Sequence, residues 1–420
     1  MHHSDYPLSE VPTSARKGLL STSAVLLGFT FFTATMWAGG TLGQAFPIGQ
    51  LLWIIAIGNL LLGVYAAALA YIACKSGLNS VLMGRFCFGE KGSKLSDFIL
   101  GFTQIGWYAW GTATIALVLV RTTGMPEWLE IPLMVLFGFG FCVTAMIGYK
   151  GMDWLSRFAV PAMMLFILIS LFTGLVDVRG FAGLSQQTPT ESMSVAAAIT
   201  VIIGTFISGG TQATNWSRFA KTPKIAVIAT LAAFFVGNGL MVLTGALGTM
   251  IYQQADIVDV LIAQGFVTIA VLMLFLNIWT TQDNTIYNFA VAGCNLLRTE
   301  KRRLVTVGGA AIGTVLAVGG MYNLLIPFLV LLGTFIPPMG GVIMADFWLK
   351  HKGRYPTLDK AQLPDFNRRG LAAYALGAGA AYFSPLLPPL IGVVVAAGSY
   401  AVLLRLNHAT LSDTLPSTAK

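Results

Sequence analysis

The chain has 420 residues, of which 56% are hydrophobic and only 10% are charged, and its formal net charge is +8. A soluble globular domain has about a quarter charged residues, so this composition excludes a soluble protein and indicates one embedded in a membrane. The basic residues are spread along the chain, which excludes the concentrated patch that nucleic-acid binding requires. We therefore expect membrane lipid as a partner and no nucleic acid.

Apolar runs long enough to span a bilayer follow one another along nearly the whole chain. There are about twelve, at residues 20–46, 51–73, 95–120, 131–148, 158–176, 195–212, 225–252, 266–292, 304–321, 324–349, 371–383 and 387–404. Only helices and closed barrels can span a membrane, and runs of about 20 apolar residues are typical of helices. The predicted fold class is therefore an all-α polytopic membrane protein.

The positive charges predict how these spans are oriented. Residues 1–18 lack the features of a signal peptide and are predicted to remain as a cytoplasmic tail. With that start, all but two of the 25 Lys and Arg residues fall on the cytoplasmic side, the exceptions being Arg121 and Arg179. Such a bias sets orientation in the membrane, so both termini are predicted to be cytoplasmic.

Two glycine-rich segments interrupt apolar runs at corresponding places, residues 37–43 in the first span and 206–211 in the sixth. Glycine pairs alone often mark close helix packing. These segments, however, open two stretches of about 155 residues with five spans each, which is the pattern of an inverted-repeat transporter with discontinuous helices 1 and 6. The predicted division is a tail (1–18), a first repeat (19–177), an external loop (178–193), a second repeat (194–350), a cytoplasmic loop (351–369), two accessory helices (370–406) and a C-terminal tail (407–420).

The eighth span contains the most polar stretch within any apolar run. Asn277, Thr280 and Thr281 lie at helical spacings of three and four, so they share one face. Oxygen ligands of this kind suit a small hard cation such as sodium, and hydrogen bonding between helices is the alternative. For Asp283 we expect a position near cytoplasmic water at a helix end, because a buried carboxylate costs about 2.5–3.5 kcal/mol.

The third span places Gln104 and Trp107 three residues apart, on one face of a helix. A flat heterocycle has two apolar faces, which Trp107 and Phe206 are placed to sandwich, and a polar edge, which the amides of Gln104 and Asn277 are suited to bond. Packing or an interfacial position is the alternative for a single Trp.

Five segments together resemble bacterial cytosine permeases of the nucleobase–cation symporter family: residues 11–18, 36–43, 205–211, 277–281 and 335–343. The resemblance extends over nearly the whole chain. It implies a leucine-transporter-like fold, with two inverted five-helix repeats followed by two further helices. It also implies a location in the bacterial inner membrane.

The resemblance further implies a set of sodium ligands. They are the backbone carbonyls of Gly28, Phe31 and Asn277 and the side-chain hydroxyls of Thr280 and Thr281. Sodium would then be the co-transported ion, and no organic cofactor is expected.

The substrate site implied by the resemblance places the base between Trp107 and Phe206. Hydrogen bonds from Gln104, Ser208 and Asn277 would hold its edge. One position departs from the family pattern, because Gln282 stands where the family is expected to have Asn, and its extra methylene alters the pocket if that side chain touches the base.

Taken together, the sequence predicts a secondary active transporter that imports cytosine by cation symport, with sodium favoured and protons left open. Another substrate of the family, such as uracil, a purine, allantoin or a hydroxymethylpyrimidine, is the main alternative. A channel would need a continuous polar path, and an enzyme would need a nucleophile with a base or a metal set, neither of which is present in the spans. We expect a monomer.

Overall fold

The computed structural model describes residues 5–412, and this part of the chain is built from α-helices without a β-strand. The helices of the first half are α1 (Leu19–Thr30), α2 (Thr33–Ala45), α3 (Ile48–Ser76), α4 (Ser80–Phe88), α5 (Ser93–Thr123), α6 (Glu130–Gly140), α7 (Cys142–Ile147), α8 (Tyr149–Asp177), α9 (Phe181–Ser185) and α10 (Val195–Gln212). Those of the second half are α11 (Thr214–Ser217), α12 (Pro223–Leu231), α13 (Asn238–Tyr252), α14 (Ile257–Ala263), α15 (Val267–Leu297), α16 (Arg302–Val318), α17 (Leu325–Phe335), α18 (Pro337–Ala345), α19 (Arg368–Phe383) and α20 (Pro388–Ser412).

The helices agree with an all-α polytopic membrane protein. Seven helical segments are long and apolar enough to cross a membrane, and an eighth is added if the bent pair α1 and α2 forms one span. Four further helices, α5, α15, α16 and α19, coincide with the remaining apolar runs of the sequence. The predicted number of about twelve spans is consistent with this arrangement.

The first span is broken, but not at its glycine pair. Helices α1 and α2 meet at an angle of 59°. Between them Phe31 (φ −80°, ψ 90°) and Phe32 (φ −140°, ψ 130°) have extended backbone, so hydrogen bonds of the helix are interrupted there. Gly39 instead lies inside α2, where an added Cβ would approach the Val242 carbonyl oxygen to 2.0 Å. The glycine therefore allows α2 and α13 to pack closely, and the expectation of a break within residues 37–43 is corrected.

The sixth span is interrupted within the segment where the sequence indicated a break. Phe206 has non-helical backbone angles (φ −138°, ψ 17°) and divides α10 into two parts. Gly209 follows within one turn, and a Cβ there would come within 2.7 Å of the Phe29 ring. The break and the glycine together bring the sixth span against the first.

The packing of the helices reflects an exchange between the two halves of the chain. Helix α2 of the first span packs mainly on α13 of the seventh, whereas α10 of the sixth span packs on α3 of the second. Helices α5 and α15, the third and eighth spans, pack on each other. Pairing of spans 1 with 7, 6 with 2 and 3 with 8 is what a two-fold relationship between two five-helix repeats produces.

Segments predicted to be cytoplasmic contact one another at one end of the bundle. The buried guanidinium of Arg218 donates hydrogen bonds to the backbone oxygens of Tyr6 (2.9 Å) and Asp5 (2.8 Å). The Asp5 carboxylate accepts the backbone N–H of Tyr149 (2.9 Å) and lies 3.6 Å from Arg302. The N-terminal segment is thus fixed beneath the bundle, on the side that carries most of the basic residues.

Candidate functional site

A small cavity lies where the breaks of the first and sixth spans face α5 and α15. Its volume is about 10 Å³, which is roughly one water molecule. Its lining comprises Phe29, Phe32, Trp107, Thr205, Phe206, Ser208, Gly209, Thr281 and Thr285. Of the predicted substrate residues, Trp107, Phe206 and Ser208 are therefore brought together at one place. Because the cavity is smaller than a nucleobase, side chains must move before a base can enter.

Aromatic rings form most of the cavity wall. The ring of Phe32 lies edge-on to Trp107, with 5.5 Å between centroids, and edge-on to Phe206, with 6.4 Å between centroids. Phe29 makes a third perpendicular contact with Phe206, at 5.0 Å. The two rings predicted to sandwich the substrate are thus on either side of Phe32. Rotation of Phe32 would open apolar faces of Trp107 and Phe206 to a flat ligand.

Oxygen atoms converge next to this cavity, at the break of the first span. The Thr281 hydroxyl lies 3.1 Å from the Phe31 carbonyl oxygen and 3.1 Å from the Asn277 carbonyl oxygen. The Thr280 hydroxyl lies 3.3 Å from the same Asn277 oxygen. These four oxygens come from α15 and from extended backbone that has no helical partner, and oxygen-only sets of this kind suit sodium. We name them, with the Gly28 carbonyl, the oxygen cluster.

Gly28 brings the end of α1 close to the same place. An added Cβ on Gly28 would lie 3.5 Å from Thr280 Cβ and 2.6 Å from the Ser156 hydroxyl. Ser156 belongs to α8 and is buried, and its hydroxyl has no hydrogen-bond partner in the described part of the chain. A buried, unpaired hydroxyl beside the oxygen cluster is a further candidate ligand, which the sequence analysis missed because a single serine in an apolar helix carries no signal.

The amide of Asn277 holds the broken first span in place. Its side-chain oxygen accepts hydrogen bonds from the backbone N–H of Thr33 (3.0 Å) and from the Thr33 hydroxyl (2.9 Å), and so satisfies the first turn of α2. Its Nδ2 has no partner among the described residues. The Asn277 side chain is therefore fixed by Thr33 on one side, with one donor group left over.

Gln104 lies in a chain of buried amides rather than in the wall of the cavity. Its Oε1 accepts a long hydrogen bond from Asn288 Nδ2 (3.4 Å), and Asn288 Oδ1 in turn accepts one from Asn215 Nδ2 (2.6 Å). Within residues 5–412, Gln104 Nε2 and Asn215 Oδ1 have no hydrogen-bond partner. Because an unpaired buried donor is costly, Gln104 Nε2 is available to a ligand that reaches it.

The side chain of Gln282 faces α5 and is not part of the cavity wall. Its Nε2 donates to the Tyr108 carbonyl oxygen (2.6 Å) and to the Thr112 hydroxyl (3.1 Å). A Cβ on Gly111 would lie 2.6 Å from Gln282 Oε1, so this glycine leaves the room that the longer side chain needs. The extra methylene is thus accommodated against α5.

Asp283 is buried in the middle of α15, and the expectation that it lies near cytoplasmic water is wrong. The helix continues for fourteen residues beyond it, to Leu297. Its carboxylate accepts hydrogen bonds from the Thr144 hydroxyl (3.1 Å) and from Asn284 Nδ2 (2.9 Å), and it is 0% exposed. These bonds compensate part of the cost of burial.

A model of the family described as permeases for cytosine/purines, uracil, thiamine and allantoin matches residues 10–403. The chain belongs to this permease family. It is 39% identical to the cytosine permease of Escherichia coli strain K12 over 394 residues, which cover 94% of this chain and 92% of that protein. It is 24% identical to the allantoin permease of Bacillus subtilis strain 168, over 89% of each chain. Membership in a family of permeases makes the chain a transporter rather than an enzyme.

Solved structures show the same fold. Mhp1, a nucleobase-cation-symport-1 family transporter in a closed conformation with bromovinylhydantoin bound, superposes with a TM-score of 0.86 at 18% identity, over 98% of this chain and 96% of that chain. A Na⁺-coupled sialic acid symporter superposes with a TM-score of 0.69 at 14% identity, over 94% and 90% of the two chains. The permease described here thus has the fold of cation-coupled symporters.

Proposed function

We propose that the protein imports cytosine by symport with sodium, through alternating access. Three features support this proposal: an aromatic cavity beside an oxygen cluster, the fold of cation-coupled symporters, and 39% identity to a cytosine permease over nearly the whole chain. The division of the chain into a first repeat, a second repeat and two accessory helices belongs to the same proposal.

The observation that carries the proposal is that the cation and base sites share residues. Thr281 is a member of the oxygen cluster and also lines the cavity. Phe31 supplies a carbonyl to the oxygen cluster, and the next residue, Phe32, places its ring in the cavity. A cation bound by Phe31 and Thr281 would fix the break of the first span, and with it one wall of the base site. Binding of either ligand would then favour binding of the other.

The substrate role is assigned to the aromatic cavity with its polar neighbours. Trp107 and Phe206 would stack on the two faces of the base once Phe32 has turned away, and Ser208 reaches the same cavity. Gln104 Nε2 and Asn277 Nδ2 are buried donors without partners in the described residues, and the base edge would supply acceptors to them. Gln282 contacts α5, so we assign it an indirect role in the shape of the site.

The proposed setting is the bacterial inner membrane, with both termini in the cytoplasm and the protein acting as a monomer. The distribution of basic residues supports this orientation, with only Arg121 and Arg179 predicted outside. Arg121 pairs with Asp259 at 2.7 Å, away from the contacts that hold the N-terminal segment.

The proposal is tested by uptake of radiolabelled cytosine into cells that express the protein. We expect saturable uptake that uracil, adenine, allantoin and hydroxymethylpyrimidine inhibit only weakly at equal concentration, and that falls sharply when sodium is replaced by potassium. Stronger inhibition by one of the competitors would reassign the substrate within the family. Uptake unchanged in potassium but abolished by a protonophore would replace sodium by protons.

A further inference from the structure

A second cavity lies at the cytoplasmic end of the accessory helices, far along the chain from the residues of the substrate site. Its volume is about 400 Å³. Three of its lining side chains are basic, namely Lys350, Arg368 and Arg369, and nothing in the proposed transport cycle uses them. The ring of Phe366 and the side chain of Leu404 form an apolar part of the same wall. The cavity thus combines positive charge with apolar surface.

The positive charge is not neutralised by the surrounding acidic residues. Among the described residues, neither Arg368 nor Arg369 has a side-chain ion pair or hydrogen bond. Of the nearby acids, Asp365 pairs with Lys91 at 2.7 Å. Asp346 lies beneath the cavity, 3.4 Å from Lys350, and also accepts a hydrogen bond from Tyr400 (2.5 Å). Two guanidinium groups therefore remain available to an anion.

The backbone of α19 adds to this preference for an anion. The helix begins at Arg368 and is 16 residues long, with Asn367 as its N-cap. The Asn367 side chain accepts the backbone N–H of Gly370 (3.4 Å), which leaves the N–H groups of the first two residues without a helical partner. The positive end of the helix dipole is thus directed at the site where Arg368 and Arg369 emerge.

The surface next to the cavity is suited to acyl chains. Large apolar side chains along α19 and α20 are exposed outside the bundle, including Leu376 (56%), Val394 (67%) and Val402 (57%). In a membrane these positions face lipid, because nothing else in the described chain covers them. Basic pockets at the cytoplasmic ends of transmembrane helices are suited to anionic lipid head groups.

We propose that this cavity binds the phosphate head group of an anionic phospholipid of the cytoplasmic leaflet. Arg368 and Arg369 hold the phosphate oxygens, Lys350 adds a third charge, and the acyl chains lie along α19 and α20. The site rests on the proposed orientation of the chain, but not on the identity of the substrate or of the coupling ion. Its test therefore measures lipid binding and not transport.

The test is native mass spectrometry of the purified protein titrated with phosphatidylglycerol or with phosphatidylcholine. We expect the wild-type protein to retain phosphatidylglycerol selectively. The double variant R368Q/R369Q should bind it about 30-fold more weakly, because each basic side chain near an anionic surface contributes a factor of about five. R405Q is the matched control, since Arg405 is an exposed cation on α20 that does not line the cavity. It should retain the lipid.

Two further arms separate other outcomes. R368K/R369K keeps both charges and should preserve selective binding, which distinguishes loss of the site from loss of folding. Inorganic phosphate at millimolar concentration should leave the lipid bound, whereas displacement would indicate a site for a free anion. Equal retention of the two lipids by the wild-type protein, or equal loss in R405Q and R368Q/R369Q, would overturn the proposal.

Discussion

Thr281→Ala is expected to raise the sodium concentration needed for half-maximal cytosine uptake by about tenfold to a hundredfold. The hydroxyl of Thr281 lies 3.1 Å from both the Phe31 and the Asn277 carbonyl oxygens, so its removal takes away one of few oxygen ligands. The remaining oxygens are buried, and leaving such a site incomplete costs about 1–3 kcal/mol. High sodium should restore part of the uptake. The measurement is initial uptake rate against sodium concentration, with potassium or choline as the balancing ion.

A matched control for this variant is Thr114→Ala. Thr114 is likewise buried in a predicted span, and its hydroxyl donates to the carbonyl four residues before it, at 2.8 Å, but it is remote from the oxygen cluster in function. We expect its sodium dependence to match that of the wild type. If Thr281→Ala also shows an unchanged sodium dependence, Thr281 serves only in packing and the oxygen cluster is not the cation site.

Trp107→Ala and Phe206→Ala are each expected to weaken the binding of cytosine and of related bases together, by about 1–3 kcal/mol. Both rings line the cavity, and each offers a face that any flat base can use. Selectivity among bases should therefore change little. Competition binding on purified protein measures this, with Trp154→Ala as the control because Trp154 is 61% exposed on the outside of the bundle.

Gln104→Ala should behave differently from the aromatic variants in the same binding measurement. Its Nε2 is a buried donor without a partner in the described chain, so a base that lost this bond would have an unpaired edge group in a dry site. The cost, about 1–3 kcal/mol, depends on the donors and acceptors of that edge, and the ratio of cytosine to uracil affinity should change. An equal loss for all bases would contradict a role of Gln104 in reading the edge.

The fold was predictable where local sequence carries the determining information. Length and hydropathy of the apolar runs indicate spanning helices, and the threonine and asparagine face of the eighth span is visible from helical spacing alone. The break at Phe206 lies inside a segment that the sequence marks with glycines. These features depend on residues close together in the chain.

The remaining features depend on contacts between distant residues. The first span breaks at Phe31 and Phe32, which are ordinary residues in a helix, and the break is held by Asn277, whose side chain accepts from Thr33 across 244 positions. No pattern near Phe32 distinguishes it from a residue that packs against a neighbouring helix, although its ring separates Trp107 from Phe206. Such roles arise only when the spans assemble.

The oxygen cluster shows the same division between local and distant information. Thr280 and Thr281 were predictable because two adjacent hydroxyls are unusual in an apolar helix. Ser156 was not, because its relation to Gly28 and Thr280 exists only after α1, α8 and α15 have packed together. The resemblance to cytosine permeases supplied the Gly28 and Phe31 carbonyls, which no side-chain pattern reveals.

The central claim is that a cation bound by the oxygen cluster and a base bound in the adjacent cavity stabilise each other. Its most direct test is the affinity of the purified protein for cytosine, measured by calorimetry in sodium and in potassium at fixed ionic strength and pH. We predict that sodium tightens cytosine binding by roughly 5- to 150-fold, the range of typical coupling free energies, and that cytosine tightens sodium binding by the same factor. Equal cytosine affinity in sodium and potassium would contradict the account.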